Sequence, residues 1–208
     1  DPDFSSKLLN KIICLNENSN VEIIIIFTKL DLLLSEEFEN IQRIMNYYKE
    51  IGYNVFSNND EDIDEFKNLV SQKYVSISGQ SGAGKSTFIN KISSNLDIET
   101  GEISKHLGRG RHTTRHTEFY RIDDFYIADT PGFSSLDLTF IEKEDIQYLF
   151  KEFSEYECKF KPCNHIEEIQ CGVKHAVEEE AILQSRYDDY KALFKEKEAQ
   201  KRKYIKER

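Results

Sequence analysis

The sequence lacks what places a chain in a membrane or outside the cell. No apolar run in its 208 residues approaches the roughly 18 needed to cross a bilayer. The start, Asp1-Pro2-Asp3, has neither a methionine nor a basic leader followed by an apolar core, so no signal peptide, a trimmed start and a cytoplasmic location are expected. Positive charge is in deficit as well: 28 Lys and Arg stand against 38 Asp and Glu, a net charge of −10. That balance excludes a surface that coats nucleic acid uniformly and leaves any such contact to local basic patches. Internal repeats and low-complexity linkers are absent, and neither Gly nor Pro interrupts 178–208, which therefore reads as one or two helices.

Cysteine is scarce and unevenly placed. Cys14 stands alone, whereas Cys158, Cys163 and Cys171 fall with His165 inside fourteen residues. Without an export signal, this spacing favours metal binding over disulfides. Three thiolates and an imidazole fill a tetrahedral Zn²⁺ shell and leave no open position for hydrolytic chemistry. The expected role is a structural staple for a segment too small to build a core.

What the chain does have is alternation. Val21 to Phe27 is a continuous β-branched run of the kind buried on both faces of a parallel sheet. Residues 36–51 carry Phe38, Ile41, Ile44, Met45 and Tyr48 at helical spacing, with Gly52 as the closing cap. A short strand is expected at Tyr53 to Ser57, a helix over 62–72 and a strand at Tyr74 to Ser78. Asp123-Asp124 separates two further strands as a hairpin turn. Strands alternating with helices imply right-handed βαβ units and a mostly parallel α/β sheet. After about Asp145 the pattern becomes helical and cysteine-rich, which sets expected domains at 1–145 and 146–208. Residues 1–20 read as either a helix or an ordered linker.

Strand, glycine loop and helix coincide at Gly79-Gln80-Ser81-Gly82-Ala83-Gly84-Lys85-Ser86-Thr87, a Walker A phosphate loop in its required context. Glycines let successive N–H groups approach a phosphate, Lys85 neutralises β/γ charge, and the Ser86 hydroxyl is suited to Mg²⁺. Thr28-Lys29-Leu30-Asp31 follows the buried strand. The Asp31 carboxylate can accept both the N1–H and the exocyclic amine of guanine, and Lys29 would line the pocket. Thr28 stands where Asn is usual and is expected to weaken a hydrogen bond that braces the loop. Ser57-Asn58 is a candidate second base loop, with a plain polar turn equally open. Asp129-Thr130-Pro131-Gly132 ends an apolar strand; Asp129 can hold a water on Mg²⁺ and the Gly132 N–H can sense a γ-phosphate. Phe133 cannot orient water, so a catalytic group is sought in Arg109 to Arg115, where Thr114 or Thr113 is the candidate switch threonine for Mg²⁺ and His112 a candidate water-orienting residue, a solvated residue or an RNA contact. Arg109, Arg111 and Arg115 suit either the nucleotide's phosphate or an external polyanion. The order, base motif before phosphate loop before DxxG, is a circular permutation of the usual GTPase order.

With Gly108 to Thr114 (GRGRHTT), Asp129 to Phe133 (DTPGF) and Cys158-x4-Cys163-x-His165-x5-Cys171 added, the chain resembles the ribosome small-subunit-dependent GTPase A family (RsgA, also called YjeQ or YloQ) over nearly its whole length. The resemblance implies a permuted GTPase domain followed by a helical zinc domain. The family's preceding OB-fold is expected to be absent from this chain. It also implies Mg²⁺-dependent GTP hydrolysis stimulated by the small ribosomal subunit during its late maturation, with rRNA as a partner. Lys85, Thr114 and His112 are then the catalytic candidates, and a monomer is expected. Lys191 to Arg208, with eight Lys or Arg and three Glu, would present a basic face to RNA or simply a solvated helix end. Tyr187, Tyr190 and Phe194 are expected to pack against the zinc segment. The readings held open beside the hydrolase are a nucleotide-dependent ribosome-binding module with incidental hydrolysis and a generic P-loop ATPase or kinase.

Overall fold

A computed structural model of the chain describes residues 3–93, 118–129 and 138–206. Helix α1 spans Ser6–Asn18 and begins at Ser5, whose side chain accepts the Leu8 N–H. Strand β1 is Ile24–Phe27 and α2 is Ser35–Glu50. Next come β2 at Asn54–Ser57, α3 at Asp60–Val70, β3 at Tyr74–Ser76 and α4 at Lys85–Ile92. Strands β4 (Glu118–Ile122) and β5 (Phe125–Asp129) follow. Two 3-10 helices, Lys143–Leu149 and Lys151–Glu155, lead to α5 (Gly172–Glu178) and α6 (Gln184–Lys206). Among the described residues no helix is long and apolar enough to cross a membrane.

Among the described residues the strands form two sheets, β1-β2 and β3-β5-β4, in which two of the three pairings are parallel, so the single mostly parallel sheet expected from the alternation is present in two parts. β1 pairs with β2 in parallel through α2, and β3 pairs with β5 in parallel. β4 returns antiparallel to β5 across Asp123-Asp124, with Asp123 at φ 49°. Gly52 adopts φ +87° after α2, while the Tyr53 N–H reaches back to the Tyr48 carbonyl at 3.0 Å. Ile41, Met45 and Tyr48 face inward as their spacing demands. The first strand is shorter than its apolar run: Val21 caps the end of α1 through the Asn16 carbonyl, and pairing begins at Ile24.

The chain divides into two compact units. The first comprises 1–3, 24–49 and 53–135. Its core joins Phe56, Ile63, Phe66, Val70, Phe88, Ile89, Ile92, Ile122, Phe125 and Ile127. Phe66 of α3 meets Phe56, Phe88 and Phe125 nearly edge-on, at centroid distances of 6.4, 5.2 and 6.2 Å. One aromatic therefore sets both pairs of strands and the phosphate-loop helix α4 against each other.

The second unit comprises 4–23, 50–52 and 136–208, which differs from the expected division at 145/146. Helix α1 belongs to it because the buried Asn10, Ile13 and Cys14 lie on its inward face, and Asn10 is claimed by a polar network. Arg186 of α6 makes a forked pair with Glu152, at 2.8 and 3.1 Å, and donates to the Asn10 side-chain carbonyl; Asn10 in turn donates to Asp189 at 2.8 Å. The Arg186 guanidinium also lies 4.2 Å from the Phe150 ring centroid. Around this network sits a sixteen-residue cluster that includes Leu138, Ile146, Phe150, Phe153, Val173, Tyr190 and Leu193. The expectation of a segment too small to build a core does not hold here: α1 supplies one wall, and the core extends beyond the cysteine loop.

Candidate functional site

The first cluster lies where β1, β2 and β3 end. Phe27 and Ser57 are register partners at the last positions of adjacent parallel strands, so Thr28 to Asp31 and Ser57-Asn58 leave side by side from the carboxyl ends of β1 and β2, the end at which open α/β sheets bind ligands. Lys29 adopts φ 61° and caps the 3-10 turn Leu30–Leu32, which leaves Asp31 exposed. Ser57 is buried; its N–H is accepted by Asp62 and its hydroxyl oxygen accepts the Asn59 N–H at 3.3 Å. Lys91 of α4 holds this loop from outside, donating to the Asn58 carbonyl at 2.6 Å and pairing with Asp60 at 2.9 Å.

The phosphate loop follows β3. Gly82 and Gly84 adopt φ +79° and +83°, a region open mainly to glycine. The Lys85 ammonium folds over the loop and donates to the carbonyls of Gly79, at 2.7 Å, and Gln80, at 2.6 Å. Partial burial lowers the Lys85 pKa from its ordinary value. Ser86 and Thr87 occupy the first turn of α4, where free N–H groups and the helix dipole favour an anion. Gln80 also donates to the Asp3 carbonyl at 3.1 Å.

Thr28 joins the two motifs. Its hydroxyl donates to the Ala83 carbonyl at 2.7 Å, and a Cβ placed on Gly84 would stand 3.3 Å from that oxygen. The brace expected to weaken with Thr in place of Asn is therefore present: the shorter side chain reaches the loop because Gly84 leaves room. Asp129 ends β5, the neighbour of the strand that feeds the loop. His112, Thr113, Thr114, Gly132, Phe133 and the arginines of 109–115 lie outside the described residues.

The second cluster is the Cys₃His set. The Sγ atoms of Cys158, Cys163 and Cys171 and a ring nitrogen of His165 lie within 4.8 Å of one another. His165 Nδ1 is 3.4, 3.5 and 3.2 Å from Cys158, Cys163 and Cys171, and the Cys158 and Cys171 sulfurs are 3.7 Å apart. A tetrahedral ion with Zn–S of about 2.3 Å and Zn–N of about 2.05 Å needs edges of roughly 3.7 Å between sulfurs and 3.5 Å from sulfur to nitrogen. The three sulfur-to-nitrogen distances and the Cys158–Cys171 distance stand at those edges, and no cysteine is in a disulfide. Burial pushes the Cys163 thiol up to about 12 and raises Cys171, while burial holds the His165 imidazole toward its neutral, ligating form. At Cys158 burial is outweighed by donated hydrogen bonds, first from the Gly172 N–H, and the thiol is lowered. Such a donor set fits a soft dication.

The loop is fitted to its surroundings at single-atom clearance. Gly172 is required because a Cβ there would lie 2.4 Å from the Glu157 carbonyl oxygen. Its N–H and that of Lys174 point at the Cys158 and Cys171 sulfurs, at 3.3 and 3.5 Å. Tyr187 and Tyr190 pack on the loop as expected, and their hydroxyls donate to the carbonyls of His165 and Asn164. The expected basic face of α6 is partly consumed: Lys197 is buried and donates to the Leu138 and Thr139 carbonyls at 2.7 and 2.8 Å, and Glu196 pairs with Lys11 at 2.5 Å. Sequence reading missed Asp62, Lys91, Glu168 and the Arg186 network; only Asn59 ahead of an acidic first turn signalled the cap that brings Asp62 to Ser57.

A family model described as RsgA GTPase matches residues 1–139. A curated "Small ribosomal subunit biogenesis GTPase RsgA" from Bacillus cereus is 43% identical over 210 residues, covering 98% of this chain and 71% of that protein. The protein of the same name from Staphylococcus saprophyticus is 42% identical over 207 residues, with the same coverage. Among solved structures, YjeQ from Thermotoga maritima aligns with a TM-score of 0.79 at 31% identity, covering 95% of this chain and 67% of that one. YloQ, described as a circularly permuted GTPase, aligns with a TM-score of 0.73 at 33% identity, covering 96% and 65%.

Proposed function

The chain belongs to the RsgA GTPase family, and from that premise we propose that it is a Mg²⁺-dependent GTP hydrolase that serves the biogenesis of the small ribosomal subunit in the cytoplasm, stimulated by the subunit it binds. The observation that carries this reading is the hydrogen bond from Thr28 to Ala83. It fastens a base-reading motif to a phosphate loop 55 residues further along the chain, so one nucleotide can be held at both ends. In this reading Asp31 accepts the guanine N1–H and exocyclic amine, Lys29 lines the base, and Ser57-Asn58 closes it from the neighbouring strand. The N–H groups of Gly79 to Thr87 and the third donor of Lys85 hold the β- and γ-phosphates. Ser86, Thr114 and Asp129 hold the Mg²⁺, which when bound neutralises charge on the β- and γ-oxygens.

Because Phe133 cannot orient water, the intrinsic rate is slow. His112, Thr113, Thr114 and Gly132 form the part that responds to the γ-phosphate, and His112 orients the attacking water when rRNA fixes the arginine-rich segment. Cys158, Cys163, His165 and Cys171 hold a structural Zn²⁺.

The test is calorimetric titration of nucleotide-free protein with GDP and with ADP in Mg²⁺, on the natural chain and on Asp31→Ala. The expected result is GDP at least a hundredfold tighter than ADP, a gap of about 2.7 kcal/mol, collapsing in the variant. Equal affinities in the natural chain would overturn the guanine reading and the ribosomal function built on it.

A further inference from the structure

The loop that carries His165 is held open by a residue that ligates nothing. His165 sits at φ 57°, a left-handed conformation uncommon for a residue with a Cβ. Its surroundings converge on one carboxylate. Glu168 Oε1 accepts the Asn164 N–H at 2.7 Å, and Oε2 accepts the N–H groups of Ile166, at 2.9 Å, and Glu167, at 3.1 Å. The N–H groups on both sides of His165 are thus gathered onto a single side chain, which turns the backbone back on itself at residue 165. The carbonyls are fixed from the other side, where Tyr190 donates to Asn164 and Tyr187 to His165. Lys174 secures the base of the turn by donating to the Glu168 carbonyl at 3.1 Å.

With both oxygens engaged, Glu168 is an outer acceptor and not a fifth ligand. We propose that Glu168 is the positioning residue that presents His165 Nδ1 to the three cysteine sulfurs, so that the site is S₃N because of a carboxylate that never touches the metal. The chemistry is that of other metal sites, in which groups beyond the ligands orient the ligating imidazole; here the orientation acts through the backbone turn. Tyr187 and Tyr190 hold the loop onto α6, and Glu168 shapes it.

The proposal rests on the Cys₃His reading of the metal site, and the experiment separates the two. Apo-protein of the full 208-residue chain is titrated with Zn²⁺ against a chromophoric chelator, and with Co²⁺ by absorption, for the natural chain, Glu168→Ala, Glu168→Gln and His165→Ala. Natural protein should bind one Zn²⁺ and give the absorption of a tetrahedral S₃N cobalt site. Failure there overturns the metal reading, and this proposal with it. If the site is sound, Glu168→Ala should bind Zn²⁺ roughly 10- to 100-fold more weakly, and its cobalt bands should move toward those of His165→Ala. A loss of general packing would lower affinity without moving the bands. Glu168→Gln keeps one amide oxygen as acceptor, so it should lose affinity severalfold and retain the natural spectrum. It also decides the matter if the alanine variant does not fold. Natural affinity and spectrum in both variants, or in Glu168→Gln alone where it is the only folded one, would overturn the proposal.

Discussion

The loops that end β1, β2 and β3 and the loop that carries the Cys₃His set are both short polar segments, but they are fixed in different ways. In the first region the motifs are joined and braced by bonds from separate side chains, among them Thr28 to Ala83, Lys91 to Asn58 and Lys85 to Gly79 and Gln80, and Asp31 stands in solvent. In the second, Cys163, His165 and Cys171 are buried, and the N–H and carbonyl groups around His165 are taken up by Glu168, Tyr187 and Tyr190. A site for a ligand that arrives and leaves keeps its donors accessible and its loops lightly held. A site for a resident ion commits its backbone in advance, which limits the entropy lost when the ion binds.

Removing the ion should break the tightly held region most. Chelation, or Cys163→Ser, is expected to make the loop 157–171 protease-sensitive and to lower the melting of the helical unit sharply, since structural zinc contributes on the order of 10 kcal/mol of apparent binding energy in small zinc peptides. Most helical circular dichroism at 25 °C should survive, because fourteen of the sixteen core residues are not metal ligands and most come from outside the cysteine loop. GDP titration of the same sample supplies the contrast and should persist. Loss of helix signal and GDP binding in step with zinc would erase the distinction between the regions.

The next effect in size concerns what holds the second unit apart from its metal. Arg186 and Glu152 are 1% and 2% exposed, so Arg186→Met leaves a carboxylate buried without its cation. Such a change should cost about 3–5 kcal/mol. Thermal melts of Arg186→Met, and of the double variant with Glu152→Leu, check this: the double variant should recover part of the loss, because the Glu152 charge is gone while the buried Asn10 carbonyl still lacks its donor. A single variant that melts like the natural chain would show that solvent reaches Glu152.

How much of this was readable beforehand follows from the range of each interaction. The phosphate loop, the parallel pairing and the ligand set were legible because each is a local pattern: Gly79 to Thr87 between strand and helix, alternation of strand and helix, four donors inside fourteen residues. Placement of α1 was not legible. Asn10 is buried with its carbonyl taken by Arg186, 176 residues away, and its amide given to Asp189, and nothing near Asn10 announces that. Lys197 reads as one more charge of a basic helix, yet its ammonium is used by the carbonyls of Leu138 and Thr139. Glu168 looks like any solvated acid among Glu167 and Gln170 until the backbone turns around it.

The smallest effect is the sharpest on the lightly held region, because it isolates one hydrogen bond. Thr28→Val keeps the shape of the side chain and removes only the hydroxyl that donates to Ala83. Ala83 is half-buried and its bond to Thr28 is part-buried, so the full penalty for an unmet, fully buried acceptor is not expected. The expected loss is therefore about 1 kcal/mol, a roughly fivefold rise in the GDP dissociation constant, with the melting temperature nearly unchanged. Thr28→Asn should keep GDP affinity near that of Thr28 if the longer amide finds the same carbonyl, and should lose it if the amide crowds Gly84, where a Cβ would already stand 3.3 Å from the Thr28 oxygen. A Thr28→Val chain that binds GDP as tightly as the natural one would mean that the base motif and the phosphate loop are held together by packing, and that the first region is more tightly built than its hydrogen bonds indicate.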